Sequence, residues 1–305
     1  MRRLIVISLF LFSALNCFGQ LLPIRSQYMF NAVPLNPALT GGEDALSISG
    51  SFRAQWLGFP GAPLTQSLSV HSPLKGETSA IGIQLFADQI GIDRNTGIYG
   101  SYAYRINMKT SRLSFGLAAG VNLVKSKSSE LQTYDNQDLL LLNDGPTGVL
   151  PNLSFGVNYA SKNYFVNFSL PFFLSHRFNG VNYEIEHAFN RYNFLLGAGA
   201  SFKIGQKTIL KPSFLFKYQI GNRSQFDINL MAAFNPMIEA GLSYRTQEAL
   251  IALFKVNANN QLSFMYSFGL PLGKLLNNSA GSHEIGLKYN FLYKTPSQNP
   301  RYLGW

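Results

Sequence analysis

Apolar and polar residues alternate in fourteen short stretches between positions 45 and 293, and this limits what the chain can fold into. The stretches are 45–56, 64–74, 80–88, 97–108, 113–124, 152–160, 164–170, 192–204, 209–220, 225–234, 238–245, 249–256, 262–270 and 283–293. In the first, Leu46, Ile48, Gly50, Phe52, Ala54 and Trp56 share one face, and Ser47, Ser49, Ser51, Arg53 and Gln55 share the other. Successive side chains of a strand point to opposite faces, so such a segment meets oil on one side and water on the other. One strand of this kind would suit a soluble sandwich. Fourteen of them, most near the roughly 9 to 11 residues that cross a bilayer at a tilt, predict an all-β fold: an antiparallel transmembrane β-barrel over 45–293.

The connections carry an independent signal. Those at 75–79, 109–112, 161–163, 205–208, 235–237 and 257–261 are short and have even parity, whereas the long ones at 89–96, 125–151, 171–191 and 271–282 are all odd. Outer-membrane barrels have short periplasmic turns and longer outside loops, so parity predicts that both termini are periplasmic. A soluble sandwich has no reason to sort its loops this way.

The first residues fit export. Arg2 and Arg3 precede an apolar run from Leu4 to Leu15, and Cys17 and Gly19 place small residues at the −3 and −1 positions of a cut before Gln20. This reads as a signal peptide over 1–19. A lipoprotein signal acylated on Cys17 is the alternative, though Asn16 stands where a small residue belongs. Cys17 is the only cysteine, so cleavage after Gly19 leaves no disulfide or thiol chemistry. No later segment reaches the ~20 apolar residues of a membrane helix. The formal charge of +10 is spread singly along strands and loops, which does not form a nucleic-acid patch.

Two segments fall outside the barrel pattern. Residues 20–44 contain Pro23, Pro34 and Pro37, and residues 294–305 contain Pro296 and Pro300. Both are expected to be irregular and periplasmic. The apolar Tyr28, Met29, Phe30, Val33 and Leu35 require burial, for which the barrel mouth is the nearest place and insertion into the lumen a further option.

Face assignment sends Arg53, Arg105, Lys203, Lys211, Lys217, Arg245, Lys255 and Lys288 to the lumen, with Asp88, Asp227, Glu239 and Glu284. An anion-preferring passage or a socket for an acidic partner would need this excess. Charges that pair across a necessarily polar lumen would look the same, and that reading is preferred. Of the histidines His71, His176, His187 and His283, none shows ligand spacing, and Glu184, Glu186 and His187 read as a solvated loop. No nucleophile is accompanied by an orienting acid and an oxyanion site. Gly116, Gly120, Gly156, Gly197 and Gly199 lie inside strands and are expected to relieve crowding or permit curvature. No enzyme activity, metal or cofactor is expected.

The blocks Ser26-Gln27-Tyr28-Met29-Phe30-Asn31, Leu35-Asn36-Pro37-Ala38 with Gly41, Arg53 through Gln66, and Ser69-Val70-His71-Ser72-Pro73-Leu74 are more specific. With Asp88-Gln89-Ile90-Gly91, Tyr99 through Arg105, Leu113 through Leu117 and His283 through Phe291, they resemble the PorP/SprF family of type IX secretion membrane proteins from Bacteroidota. The residues that carry the resemblance are Gln27, Tyr28, Phe30, Asn31, Asn36, Pro37, Arg53, Gln55, Trp56, Gly58, Pro63, Thr65, His71 and Pro73. Ala54 and Leu57 depart from it conservatively. The resemblance implies an outer-membrane barrel that supports export or surface anchoring of large secreted proteins, including gliding adhesins. Its implied partners are membrane lipid, type IX components, a periplasmic peptidoglycan-binding lipoprotein and a secreted or surface client. A porin-like solute channel with a mildly anion-preferring lumen is the rival reading.

Periplasmic turns offer little area, so a periplasmic partner is expected on the terminal segments, with Tyr28, Phe30, Tyr302 and Trp305 as aromatic anchors. An external client is expected on the long loops. There the run Leu139, Leu140, Leu141, Leu142 would be costly to leave in water, although packing onto the barrel mouth is the slightly preferred reading.

Overall fold

The computed structural model describes residues 24–43, 45–76, 78–130, 144, 147–178, 183–186, 189–220 and 224–292. Its strands in chain order are β1 (Ala45–Ala54), β2 (Leu64–Pro73), β3 (Ser79–Ile90), β4 (Asp93–Asn107), β5 (Ser111–Ser126), β6 (Gly148–Ser161), β7 (Tyr164–Leu170), β8 (Ser175–Phe178), β9 (Tyr183–Glu186), β10 (Asn193–Ala200), β11 (Phe202–Ile204), β12 (Thr208–Gln219), β13 (Gln225–Ala233), β14 (Ile238–Arg245), β15 (Ala249–Asn257), β16 (Leu262–Pro271) and β17 (Ser282–Leu292). All but β8 and β9 lie in one antiparallel sheet, with β1 beside β17 and β10 closing on β12. The product is a closed barrel of 14 staves, with β10 and β11 sharing one. Closure leaves no edge strand exposed to lipid, which the bilayer core demands. No helix among the described residues is long and apolar enough to cross a membrane.

The alternation fixes the faces as expected. Phe52, Tyr102, Phe115, Phe214 and Phe264 are exposed on the outer wall, while Arg53, Arg105, Lys217, Arg245, Asp227, Glu284 and Lys288 are buried inside. Lys203 is the exception, being exposed beside the 205–207 turn. Phe216 stacks on Phe226 at 4.4 Å, and Phe173 and Phe189 lie 5.3 and 5.5 Å from Tyr192. These rings gather where the staves meet the long connections, as in the aromatic girdles of barrels.

The staves outrun the lipid in places. The expected loop 89–96 is mostly strand, because the pairs Asp88↔Asn95, Gln89↔Arg94 and Ile90↔Asp93 continue the β3–β4 ladder to a turn at Gly91. Beyond the hydrocarbon both faces of a strand can be polar, so the alternation fades although the pairing persists. The connection after β7 contains the hairpin β8–β9, in whose backbone register position 177 pairs with position 184; His187 lies outside the described residues. At the start of the connection after β5, Lys125 and Ser129 hold Asp144 at 2.9 and 2.6 Å. The Ser129 hydrogen bonds and Lys125 push the Asp144 carboxyl down to about 2. The break between β10 and β11 falls opposite Lys211 and Pro212, where proline has no N–H for the ladder.

Ala45 pairs with Leu292, so β1 begins and β17 ends at the short-turn end of the barrel. The expected signal peptide, the tail 294–305 with Tyr302 and Trp305, and Leu139, Leu140, Leu141 and Leu142 lie outside the described residues.

Candidate functional site

The lumen is filled by the chain's own residues 24–43. This segment enters beside Arg53 and Arg245, near the last residues of β1 and β14 at the long-loop end, and reaches Glu43 beside Lys288 near the short-turn end. It lies far deeper than the barrel mouth, and Ile24 stands at the long-loop end, opposite the end expected for a periplasmic N-terminal segment, because the segment's backbone is held there by Arg53, Arg245 and Glu284. Tyr28 is only 2% exposed, and its hydroxyl accepts a 2.8 Å hydrogen bond from Asn229, midway along β13. Ile24, Tyr28, Met29 and Phe30 pack with Leu195, Leu215, Met231, Ile251, Leu253 and Met265 of the wall. Burying each large apolar side chain contributes roughly 1.5–3 kcal/mol.

An irregular segment inside a barrel has no ladder to satisfy its backbone, so the wall side chains must do so. Arg245 and Arg53 donate to the Ile24 carbonyl at 2.9 and 3.1 Å. Glu284 accepts the N–H groups of Ser26 and Gln27 at 2.8 and 3.3 Å, and the Gln27 amide returns a 2.7 Å bond to the Glu284 carbonyl. Further along, Lys288 donates to Phe30, Gln84 to Val33, Ser169 to Leu35 and Arg105 to Thr40, each at a backbone carbonyl, over 2.5–3.3 Å. The Gly41 N–H donates to His71 Nδ1 at 3.1 Å, and Asn31 donates to Ser69.

Asn36 is the pivot of the segment. Its side-chain oxygen caps Ala38 N–H in a short 3-10 turn with Pro37 at its start, and its amide nitrogen donates to the carbonyls of Val157 and Phe168 at 3.2 Å each. This turn lies against two strand glycines. A Cβ on Gly116 would meet Ala38 N at 2.1 Å, and one on Gly156 would meet Asn36 Oδ1 at 1.9 Å. These two glycines therefore make room for the segment and are not there for curvature.

The lumen charges pair as the preferred reading expected. Arg245 and Asp227, both fully buried, share bonds of 2.9–3.1 Å, and Arg245 also reaches Glu248 at 3.1 Å. Glu239 bridges Lys211 and Lys255 at 2.8 and 3.1 Å, and Lys288 pairs with Glu43. Arg105 and Lys217 bond to neutral groups, the Thr40 carbonyl and the Gln225 amide oxygen. Among the described residues no group of three or more His, Cys, Asp or Glu is placed to hold a metal.

Most residues of the resemblance meet on this segment. Gln27, Tyr28, Phe30, Asn31, Asn36 and Pro37 belong to it; Arg53 and His71 bind it from the wall, and Pro73 lies beside Gly41. Gln55, Trp56, Gly58 and Pro63 instead form the β1–β2 connection. It is stitched by Gln55 N–H to Pro63 O at 2.9 Å, Leu57 N–H to Gly281 O at 2.7 Å and Gly91 N–H to Gly61 O at 2.9 Å. Trp56 there holds a left-handed φ of 52°. The chain matches type IX secretion system membrane protein PorP/SprF over residues 18–289.

The chain belongs to the PorP/SprF family. Solved structures share its fold: the monoaromatic hydrocarbon channel CymD has 14% identity, covers 91% of this chain and 96% of its own, and gives a TM-score of 0.54. The toluene transporter TbuX of Ralstonia pickettii has 10% identity, covers 90% and 96%, and gives 0.52. At such identities these likenesses speak for the outer-membrane barrel fold alone. No curated protein matches the chain.

Sequence reasoning missed Asn229, Gln84 and Ser169 as partners of the segment, and gave Arg245 and Glu284 no role beyond lumen charge. The signal that was available is two-sided apolarity. Leu195-Leu196, Leu215-Phe216, Leu250-Ile251 and Leu253-Phe254 put apolar residues on the face assigned to water. A PorP/SprF barrel with part of its lumen apolar must cover it with something.

Proposed function

We propose that this PorP/SprF barrel serves type IX secretion as a docking and anchoring platform in the outer membrane, supporting export or surface retention of a large secreted protein or adhesin. The single observation that carries this reading is the lumen occupied by residues 24–43, tied to the wall by side chains from most staves. A lumen so filled weighs against a wide solute pore, and the paired charges weaken the anion-preferring alternative. Tyr28 and Phe30 are buried in the lumen, so they are withdrawn as anchors for a periplasmic partner. A peptidoglycan-binding lipoprotein is left Tyr302 and Trp305 of the tail.

With the long connections outside, the expected polarity puts the tail 294–305 in the periplasm. A protease-sensitive tag at Asp144 should be cleaved on whole cells and one after Asn299 should be protected; the opposite pattern would invert the barrel. A client should engage the long loops. Leu140→Asp combined with Leu141→Asp should leave barrel levels normal and lower the retention of at least one surface protein, read by mass spectrometry of shaved cells. An unchanged surface set with normal barrel levels removes the docking role from that loop.

A further inference from the structure

A cavity of about 600 Å³ lies between the inserted segment and the wall at the long-loop end, with Pro34 and Leu35 of the segment beneath it. Arg25 and Arg53 line it, and Arg53 also holds the Ile24 carbonyl, so Ile24 stands at its border. Its polar side is one lateral row across β1 to β4, since Arg53 pairs with Thr65, Thr65 with Asp88 and Asp88 with Asn95. Neighbouring strands are about 4.8 Å apart, so the row spans roughly 14 Å from Arg53 to Asn95. Its other side is apolar, with Leu35, Phe86, Val124 and Phe172.

The charges of the cavity answer one another. Arg53 is paired with Glu248 at 3.9 Å, Arg25 lies in the field of Glu284, and Arg94 stands among Asp88 and Asp93. Thr65 donates to Asp88 at 2.6 Å. What remains is apolar surface and, at the far end of the row, the buried Oδ1 of Asn95, which has no hydrogen-bond partner. An occupant therefore needs apolar side chains and an N–H donor, and no particular charge.

The chain itself supplies one. Cleavage after Gly19 leaves Gln20, Leu21, Leu22 and Pro23 ahead of Ile24, outside the described residues. Four residues extend about 13–14 Å at most, which is the length of the row. The short-turn end is out of their reach, because the ten residues of β1 separate the two ends by about 30 Å along the strand. Residues 24–43 also fill the lumen between the two ends.

We propose that the mature amino terminus folds into this cavity, with Leu21 and Leu22 on its apolar side and the amino group of Gln20 donating to Asn95. The two termini then lie at opposite ends of the barrel, since β17 finishes at the short-turn end. The cavity is thus a site for the chain's own end, and displacing that end frees four residues among the long connections. The seating rests on the cut after Gly19 and not on the docking reading above.

After that cut the chain has no cysteine, so introduced ones report alone. The test uses the full mature barrel in nanodiscs, with its intact mass confirming a start at Gln20. A short bis-maleimide should join Leu22→Cys to Ile90→Cys, which lines the cavity, about tenfold more than Leu22→Cys to Asn259→Cys at the short-turn end, because only the first pair lies within four residues' reach. Leu22→Cys alone should react with a charged maleimide about tenfold more slowly than Phe59→Cys, which is 45% exposed at the same end. Asn95→Leu should narrow that difference while the barrel keeps its heat-modifiable migration. Cross-linking to Asn259→Cys instead, or to neither partner, overturns the proposal. So does a Leu22→Cys that reacts as fast as Phe59→Cys, or a difference that Asn95→Leu leaves intact. A mature chain beginning upstream of Gln20 overturns it too, since a longer end outgrows the cavity. Labelling whole cells at Phe59→Cys and Asn259→Cys reads the polarity separately. Reaction at Asn259→Cys alone inverts the barrel and removes the docking reading, while the seating stands.

Discussion

Arg245→Met should be the most damaging single substitution in the lumen, destabilising the folded barrel by about 3–5 kcal/mol, because it leaves a buried carboxylate without its partner. Arg245 and Asp227 are both fully buried. Methionine would also release the Ile24 carbonyl and the contact to Glu248. Pairing the change with Asp227→Asn removes the stranded charge, so the double variant should recover a large part of the loss. Urea titration of the heat-modifiable band in lipid vesicles measures both. A single variant within about 1 kcal/mol of the parent would show that the ion pair does not hold the inserted segment.

The second large effect lies on the opposite face of the wall. Leu117 is 61% exposed on β5 and points at lipid, where an arginine near the bilayer midplane costs roughly 2–4 kcal/mol. Leu117→Arg should therefore lower the folded yield severely. Its neighbour Ala118 points inward, but it is buried beside Val33, Pro34 and Pro37 and offers no wet space for the comparison. Ser263→Arg is the better control, since Ser263 lines a roomy cavity of about 520 Å³ at the short-turn end. Equal folded yields for Leu117→Arg and Ser263→Arg would undo the face assignment.

The barrel was legible because lipid imposes a period of two on the outer face of the staves, and most of the fourteen stretches carried that pattern in their own residues. Stave ends were less legible. Asp93, Arg94 and Asn95 look like loop, yet they pair with Ile90, Gln89 and Asp88 above the hydrocarbon, where lipid no longer dictates one face. The fate of residues 24–43 could be stated only as a need for burial. What fixes the segment is spread across the chain: Tyr28 meets a residue 201 positions away, and Gln27 one 257 positions away. No local period records such contacts. Gly116 and Gly156 show the same limit, since a glycine in a strand announces close approach without saying of what. The polar row from Arg53 to Asn95 follows from the register and could be drawn only once the strand partners were known.

The central claim is that the barrel's own residues 24–43 close its lumen, and conductance across a planar bilayer tests it most directly. The intact protein should give no steady current, and a variant lacking residues 20–44 should open to a wide, steady one. A wide, steady current from the intact protein, unchanged by that deletion, would contradict the account and return the barrel to the class of solute channels.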